Sequence, residues 1–482
     1  MKIIAENKEK YISFSKYIDD YQGFNFCFID SFRFIPQSFD SLSSYLKEFP
    51  IVDKESAHYT PEQTKLLKKK GVYPYEYTKS FECLNEIDLP SIEQFHSHLK
   101  CCGISPEEYA HAQKVWKDFI IGNLGEYSDL YLMIGVLLFA EVFEQFREKC
   151  FKYYGIDAAH YRTAPSLSWD AMLKYTYVVL TLLICIEMMT FVEKAIGGGI
   201  SQCISRYAEA NNKYLPDYDS SKDEIYLGYF DVNNLYGKAM SESLPHSCFE
   251  WAEPTVDWNV PADNNIGYFL EVDIEYPRSL HDEHSDLRFL AERRNGKLMT
   301  TLYDKHKYVL HYRMLQLALE YGLKLKKIHR ILKFVQKPWL RSYIDFNTRS
   351  REQATNKFEE MFPGLMNNSI YGKTLQNRRN EKDVRIVTKW AGRYGMEALI
   401  SKPNYSSSTI LDENVAIVQM SQTCVTLDRP IYVGLAVLDI SKIVMYKFHY
   451  NFITKSVLHN NLNLLCMDTD LFIHKNKKSR HL

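Results

Sequence analysis

The chain has 482 residues, of which 46% are hydrophobic, 25% charged and 14% aromatic, and its formal net charge is −1. That length predicts two to four units sharing cores, and the aromatic content without low-complexity tracts excludes a disordered or fibrous protein. Ten scattered cysteines without metal-type spacing exclude a zinc framework and fit a reduced, intracellular setting, the nucleus among the compartments open to it.

In chain order, "MKIIAENKEKYISF" lacks the apolar core of a signal peptide, so secretion has no support. "CFIDSFRFIPQSFDSL" predicts a strand and a turn. "SPEEYAHAQKVWKDF" predicts a helix with Ser105 as N-cap, Pro106 at its first position and Glu108 completing a capping box. "LYLMIGVLLFAEVFEQFREKC" continues as an apolar helix. "YTYVVLTLLICIEMMTF", Tyr175 to Phe191, is interrupted by Glu187 and falls short of the roughly 20 apolar residues of a membrane span, so it reads as one buried helix and no membrane is expected. The triple glycine Gly197 to Gly199 predicts a hinge or linker.

Strand patterns dominate the second half. "IYLGYFDV" is a short apolar run, and "YFLEVDIEY" alternates, with Leu270, Val272, Ile274 and Tyr276 on one face and Glu271, Asp273 and Glu275 on the other. "KHKYVLHYRMLQLALEYG" predicts a helix ended by Gly322, "LKLKKIHRILKFV" a basic strand and "SREQATNKFEEMF" another helix. Strands and helices alternate without a βαβ rhythm, which gives an α+β class with antiparallel sheet. From Lys305 to Lys357 there are 13 basic against 3 acidic residues, a candidate phosphate-binding surface whose bland alternative is a solvated helix face.

Three carboxylates carry the chemistry. Asp231 ends the apolar run "YLGYFDV", and Asp468 and Asp470 follow "LNLLCM". If the two strands are neighbours, the carboxylates converge, and their repulsion calls for a divalent cation. Oxygen ligands select a hard ion such as Mg²⁺, and two such ions serve phosphoryl transfer, with polymerases among the general examples. A lone DxD also occurs in sugar-nucleotide transferases, but no nucleotide-binding strand-helix unit precedes this one. His281 and His284 of "HDEH" read as a solvated loop rather than a metal site, and Asp273 as one residue of a polar strand face. In "FPGLMNNSIYGKT", Asn367, Asn368 and Ser369 sit beside Tyr371 and Gly372, polar residues that need contacts inside an apolar helix.

Taken in order, these stretches resemble the motifs of family B DNA polymerases, in the protein-primed subgroup of bacteriophages, linear plasmids, adenovirus-like viruses and virus-like mobile elements. D-x-x-S-L-Y-P is read at Asp231 to Gly237, K-x-x-x-N-S-x-Y-G at Gly364 to Gly372, and D-T-D-S at Asp468 to Leu471. The resemblance implies DNA-directed nucleotidyl transfer from dNTPs on a DNA template and primer, with Mg²⁺, or Mn²⁺ in its place, and a terminal priming protein as partner. Asp231 and Asp470 would bridge two metals with Asp468 supporting, and the Val232 carbonyl would be a further ligand. Tyr236 would sit beneath the incoming sugar and exclude a 2′-hydroxyl. Asn368 and Tyr371 would shape the base-pair pocket, and Ser369 and Gly372 fall to the template and primer. The implied organisation is a partial exonuclease-like, ribonuclease H-like region over 1–195, palm over 196–250, palm continuation and a priming-protein and DNA-binding insertion over 251–345, fingers over 346–400, and palm again over 401–482.

Departures from the pattern are informative. Ser38, Phe39 and Leu42 approximate a motif for single-stranded DNA or the priming protein, and Tyr131 survives from the third exonuclease motif while its aspartate is Gly135, so no proofreading is expected. The family lysine that meets the triphosphate is Gly364. Lys357, about 10 Å away along a helix, and Lys373 are both read as too far to replace it. Pro363 with Gly364 predicts a broken or kinked fingers helix. Asn234, Gly237 and Leu471 replace serine, proline and serine. The family thumb, expected after the third motif, has no counterpart before Leu482. The expectation is an impaired polymerase, with a catalytically inactive DNA- or priming-protein-binding remnant as the alternative.

Overall fold

A computed structural model describes residues 2–5, 10–18, 23–456 and 462–478. Strands β1 (Lys2–Ala5), β2 (Tyr11–Ile18) and β3 (Phe24–Ile29) form an antiparallel sheet. Short helices α1 (Phe39–Ser44), α2 (Pro50–Glu55) and α3 (Pro61–Leu67) lead to α4 (Pro106–Asp118) and the 31-residue α5 (Leu124–Tyr154). The capping box at Ser105 and Glu108 forms as its spacing predicts. Ser38 is the N-cap of α1, Phe39 packs edge-on against Phe139 of α5 at 6.1 Å, and Leu42 is buried, so these three positions serve the local packing. On α5, Glu141 is fully buried and accepts the Ile51 and Val52 N–H groups at 2.5 and 2.9 Å, capping α2 from a distance of ninety residues.

The single buried helix expected over Tyr175 to Phe191 does not form. Helix α6 (Ala164–Thr176) ends where Tyr177 turns left-handed at φ 52°, an extended segment follows, and α7 (Ile186–Ala195) starts afresh. Val178, Val179 and Thr181 are β-branched and weak helix formers, and the Thr181 N–H is taken by the His246 carbonyl at 2.9 Å.

Beyond this point come β4 (Ser201–Cys203), β5 (Glu224–Asp231), α8 (Leu235–Met240), β6 (Leu244–Ala252), β7 (Ile266–Glu275), β8 (Glu292–Arg294), β9 (Lys297–Met299), β10 (Lys305–His311), α9 (Tyr312–Glu320) and β11 (Lys324–Lys337). Then follow α10 (Arg341–Glu352), α11 (Lys357–Thr374), β12 (Asp383–Val387), α12 (Met396–Ile400), β13 (Tyr405–Asp412), β14 (Val415–Met420), α13 (Ile431–Lys447), β15 (Leu462–Asp468) and β16 (Leu471–Lys478). Two expected helices are each divided. "KHKYVLH" pairs antiparallel with β7 as β10 before α9 begins, its Val309 and Leu310 buried in the sheet's core. "SREQATNKFEEMF" breaks at Asn356, whose side chain caps α11 through the Glu359 N–H at 2.9 Å.

Of the expected break or kink in α11, the break does not form: the helix runs continuously through Pro363 and Gly364. Pro363 forfeits one backbone bond, but Phe362 and Pro363 are buried, and Phe362 packs edge-on against Phe146 of α5 at 5.5 Å. Burial of this face offsets the proline penalty of roughly 3 kcal/mol. A buried polar chain adds to the anchorage: Tyr154 Oη donates to Asn347 Oδ1 at 2.6 Å, and Asn347 Nδ2 donates to Asn367 Oδ1 at 2.7 Å. Lys149 of α5 reaches Glu359 of α11 at 2.9 Å and holds that carboxyl at about 2.

Two four-stranded antiparallel sheets, ordered β10-β7-β11-β6 and β4-β15-β16-β5, lie in the second half beside a three-stranded sheet β12-β14-β13 and the β8-β9 pair. Helix α13, buried nearly all round, packs against α8, α11, β6 and β10 and joins their cores. The basic run on β11 is largely neutralised by β7. Arg330 makes a forked pair with Glu271 at 2.8 and 3.1 Å, His329 lies 2.8 Å from Asp273, and Lys324 and Lys326 meet Glu275. Lys305 is fully buried against Glu292 at 3.1 Å, and Lys333 meets Glu250 at 3.0 Å. Charge counted along the chain therefore overstates the charge presented to solvent. No helix among the described residues is long and apolar enough to cross a membrane.

Beneath β16, His474 stacks on His449 with Nε2 3.1 Å from the His449 Nδ1, and both rings are buried. Burial lowers the His474 pKa to about 4, whereas the unfolded chain protonates it near 6.5. A depressed folded pKa means stability is intact above about 6.5 and is lost as pH falls toward 4, by up to about 3 kcal/mol. Urea unfolding at pH 7 and pH 4 should show this loss in the natural chain and a smaller one in His474→Phe.

Candidate active site

The register of β16 against β5 builds the site. Leu471 pairs with Asp231, and Asp468 pairs with Leu471 across the turn that joins β15 to β16. Asp231, Asp468 and Asp470 therefore stand at one end of one sheet. The turn is held from both sides: the Thr469 N–H donates to the Ile200 carbonyl at 2.8 Å, and the Val232 N–H donates to the Asp470 carbonyl at 2.9 Å. Thr469 is left-handed at φ 51°, an uncommon conformation for a β-branched residue and one that marks stored strain.

Gly199 backs this turn. A Cβ there would run into the Thr469 side chain, so the triple glycine, expected as a hinge, provides close backbone approach to the acidic turn. The glycine run was the visible signal; its target was not.

Asp231 and Asp468 are exposed and Asp470 is partly buried. Burial raises the Asp470 pKa, and the neighbouring Asp231 and Asp468 charges raise it further. The Asp470 carboxyl thus feels both of its neighbours. Among the described residues no three His, Cys, Asp or Glu side chains close into a coordination shell. The donor set is nevertheless all oxygen and mutually repelling, which suits a hard divalent ion.

Helix α8 begins three residues after β5 and delivers Tyr236. Asn234 is left-handed at φ 61°, and its Oδ1 accepts the Gly237 N–H at 3.2 Å. A Cβ on Gly237 would collide with the Asn234 side chain. Proline at this position has no N–H to give, so Asn234 and Gly237 are one coupled change rather than two independent departures.

Tyr236 stacks on Tyr371 of α11 with ring centroids 4.1 Å apart and planes 14° from parallel. Burial raises both phenol pKa values, with Asp470 contributing at Tyr236. Asn368, one turn before Tyr371, is exposed. Ser369 is buried, and Gly372 is exposed with open space beside it. Asn367 belongs to the buried chain with Asn347 and points away from that role.

Gly364 opens onto a cleft of about 790 Å³, and a Cβ added to it would meet nothing within 4 Å. Lys357 lines the same cleft, two turns away on the same helix face, at the spacing expected from the sequence. Lys238 and Arg351 also line it, but Asp345, Glu352 and Glu360 do too, so the cleft has no net positive charge. Lys373 instead donates to Ser166 Oγ at 3.1 Å.

The remaining candidates lie elsewhere. Asp273 sits on β7 with His329 and the Lys307 N–H. His284 is fully buried with Nδ1 2.9 Å from Tyr276 Oη, so the solvated-loop reading does not hold for it. On α5, Tyr131 Oη is 2.8 Å from Tyr75 Oη, and Gly135 faces open space.

Residues 2–455 match the family described as DNA polymerase type B, organellar and viral. The chain belongs to this family. The match stops short of the Asp468 to Asp470 turn. Solved structures of phi29 DNA polymerase are similar at 15% identity and TM-score 0.53, both in an orthorhombic crystal form and complexed with primer-template DNA and incoming nucleotides. A phi29 polymerase structure complexed with single-stranded DNA matches at 16% identity and TM-score 0.52. Each comparison covers 100% of this chain and 66% of the phi29 chain, so the chain spans about two thirds of that polymerase's length. No curated protein matches the chain.

The charge coupling among the three aspartates is directly testable. In Asp231→Asn the Asp470 carboxyl should titrate at lower pH than in the natural chain, followed by carboxyl-carbon NMR; an unchanged value would show that the two groups do not share a field.

Proposed function

We propose that this chain is a DNA-directed DNA polymerase of the protein-primed type B class with reduced activity. The observation that carries the reading is the β5 to β16 register, which gathers Asp231, Asp468 and Asp470 beside the Tyr236 and Tyr371 stack.

On this reading, the β4-β15-β16-β5 sheet belongs to the palm, α11 is the fingers helix, and the N-terminal helices are the remains of an exonuclease-like region. Asp231 and Asp470, with Asp468 and the Val232 carbonyl in support, would hold two Mg²⁺ or Mn²⁺ ions, which supply charge neutralisation for the attacking primer oxygen and the leaving pyrophosphate. Tyr236 supports the incoming sugar with its ring fixed by Tyr371, so the nucleotide is positioned by a preformed surface. Asn368 on the exposed face of α11 reaches the nascent base pair, and Ser369 and Gly372 lie on the template and primer side. Gly135 offers no carboxylate where an exonuclease needs one, so misinserted nucleotides are not removed. A priming protein would engage the segment around β8 to β11.

A second reading, a DNA- or priming-protein-binding remnant without catalysis, is favoured by one observation: Gly364 leaves the triphosphate cleft without the family's lysine and without net positive charge.

Primer extension with Mg²⁺ and with Mn²⁺ separates the two. Slow incorporation by the natural chain, lost in Asp231→Ala and Asp470→Ala, is expected. Robust processive synthesis would overturn the impaired reading, and DNA binding without any incorporation would establish the remnant. Because a Cβ at Gly364 meets open space, Gly364→Lys should fold normally and lower the dNTP KM by roughly ten-fold, the effect of about 1.4 kcal/mol from one charge-assisted phosphate contact.

A further inference from the structure

A second cleft, of about 610 Å³, lies away from the three aspartates, where the end of α6, the start of β6 and the junction of β11 with α10 meet. Its lining is rich in hydrogen-bond donors and has no Asp or Glu. Lys337 lines it, and among the described residues this cation has no ion pair. Trp339 lines it too; the residue is only 7% exposed, and its indole N–H has no hydrogen-bond partner. Ser247 and Ser342 add hydroxyls, and His246 is held neutral by burial and by the nearby Lys337 charge.

The rim carries an independent signal. Tyr177 is 85% exposed and sits in the left-handed region at φ 52°, at the C-terminal cap of α6. Glycine is the residue that adopts this cap without strain. A tyrosine held there, with its ring in solvent beside an unpaired lysine, has the composition of a base-stacking platform next to a phosphate contact.

We propose that this cleft is a binding site for the phosphodiester backbone of a single-stranded nucleic acid, with Lys337 receiving a phosphate beside the Ser247 and Ser342 hydroxyls and Tyr177 stacking on an adjacent base. The phosphate would supply the counter-charge that Lys337 lacks. The site rests on the nucleic-acid partner of the proposed function but not on catalysis, since it shares no residue with the aspartate site.

The test is anisotropy of a fluorescein-labelled oligothymidylate with the full chain, without dNTP or divalent metal, across a NaCl series. Lys337→Ala should weaken binding and reduce the slope of log K against log salt by about 0.7, the release of one counterion from a single strand. Tyr177→Gly removes the ring while relieving the left-handed strain, so it should fold at least as well as the natural chain. It should lose about five-fold or more in affinity at an unchanged salt slope. Because dNTP and divalent metal are absent from the assay, the readout does not depend on the active-site reading. Natural affinity and slope in both cleft variants would overturn the proposal. Displacement of the oligonucleotide by millimolar inorganic phosphate at constant ionic strength, seen in the natural chain and absent in Lys337→Ala, would support the phosphate contact, whereas Lys337-dependent binding of inorganic phosphate that leaves oligonucleotide affinity untouched would assign the cleft to free phosphate and overturn the strand assignment.

Discussion

Electrostatic repulsion among three carboxylates is the constraint around which the second half of this molecule is organised. Asp231 lies more than two hundred residues before Asp468, and only the antiparallel pairing of β5 with β16 sets the two at one sheet end. The backbone bonds from Thr469 to Ile200 and from Val232 to Asp470 lock the turn in place, and the missing Cβ of Gly199 lets the preceding segment approach it. The strain at Thr469 and the raised Asp470 carboxyl are the local costs of that arrangement. They are offset by the sheet and by the core that α13 forms behind it.

The N-terminal region has a structural role whatever its own chemistry. Helix α5 supplies Phe146, Lys149 and Tyr154 to the packing of α10 and α11, and through them it fixes the helix that carries Tyr371. This support explains how α11 survives Pro363. Intrinsic propensity penalises the residue, but a buried aromatic face and a satisfied polar chain on the same helix outweigh it. The same logic reconciles Asn234 with Gly237. Each looks like damage to a motif when taken alone, and together they form one cap that starts α8 and aims Tyr236.

The two clefts differ in the way that matters for anions. The one beside Gly364 carries acids and bases in equal number, whereas the one at Lys337 and Trp339 carries donors without an acid. Local charge balance around a cavity, rather than charge counted along the chain, decides which surface attracts phosphate. The basic run on β11 shows why: its cations face Glu271, Asp273 and Glu275 across the sheet, at positions far apart in sequence.

What could be read from residues alone was whatever depends on near neighbours. The capping box at Ser105, the alternating face of β7, the basic strand β11 and the three ordered motifs with their aspartates all follow from short-range spacing or residue type. The helix boundaries at Tyr177, His311 and Asn356 were not legible, because sheet pairing, a left-handed turn and a cap competed with an apolar pattern that admits either outcome. The pairing that brings Asp231 to Asp470, the stacking of Tyr236 on Tyr371 and the continuity of α11 were decided by tertiary structure. Each depends on distances between elements that are remote along the chain, and packing sets those distances rather than composition or period.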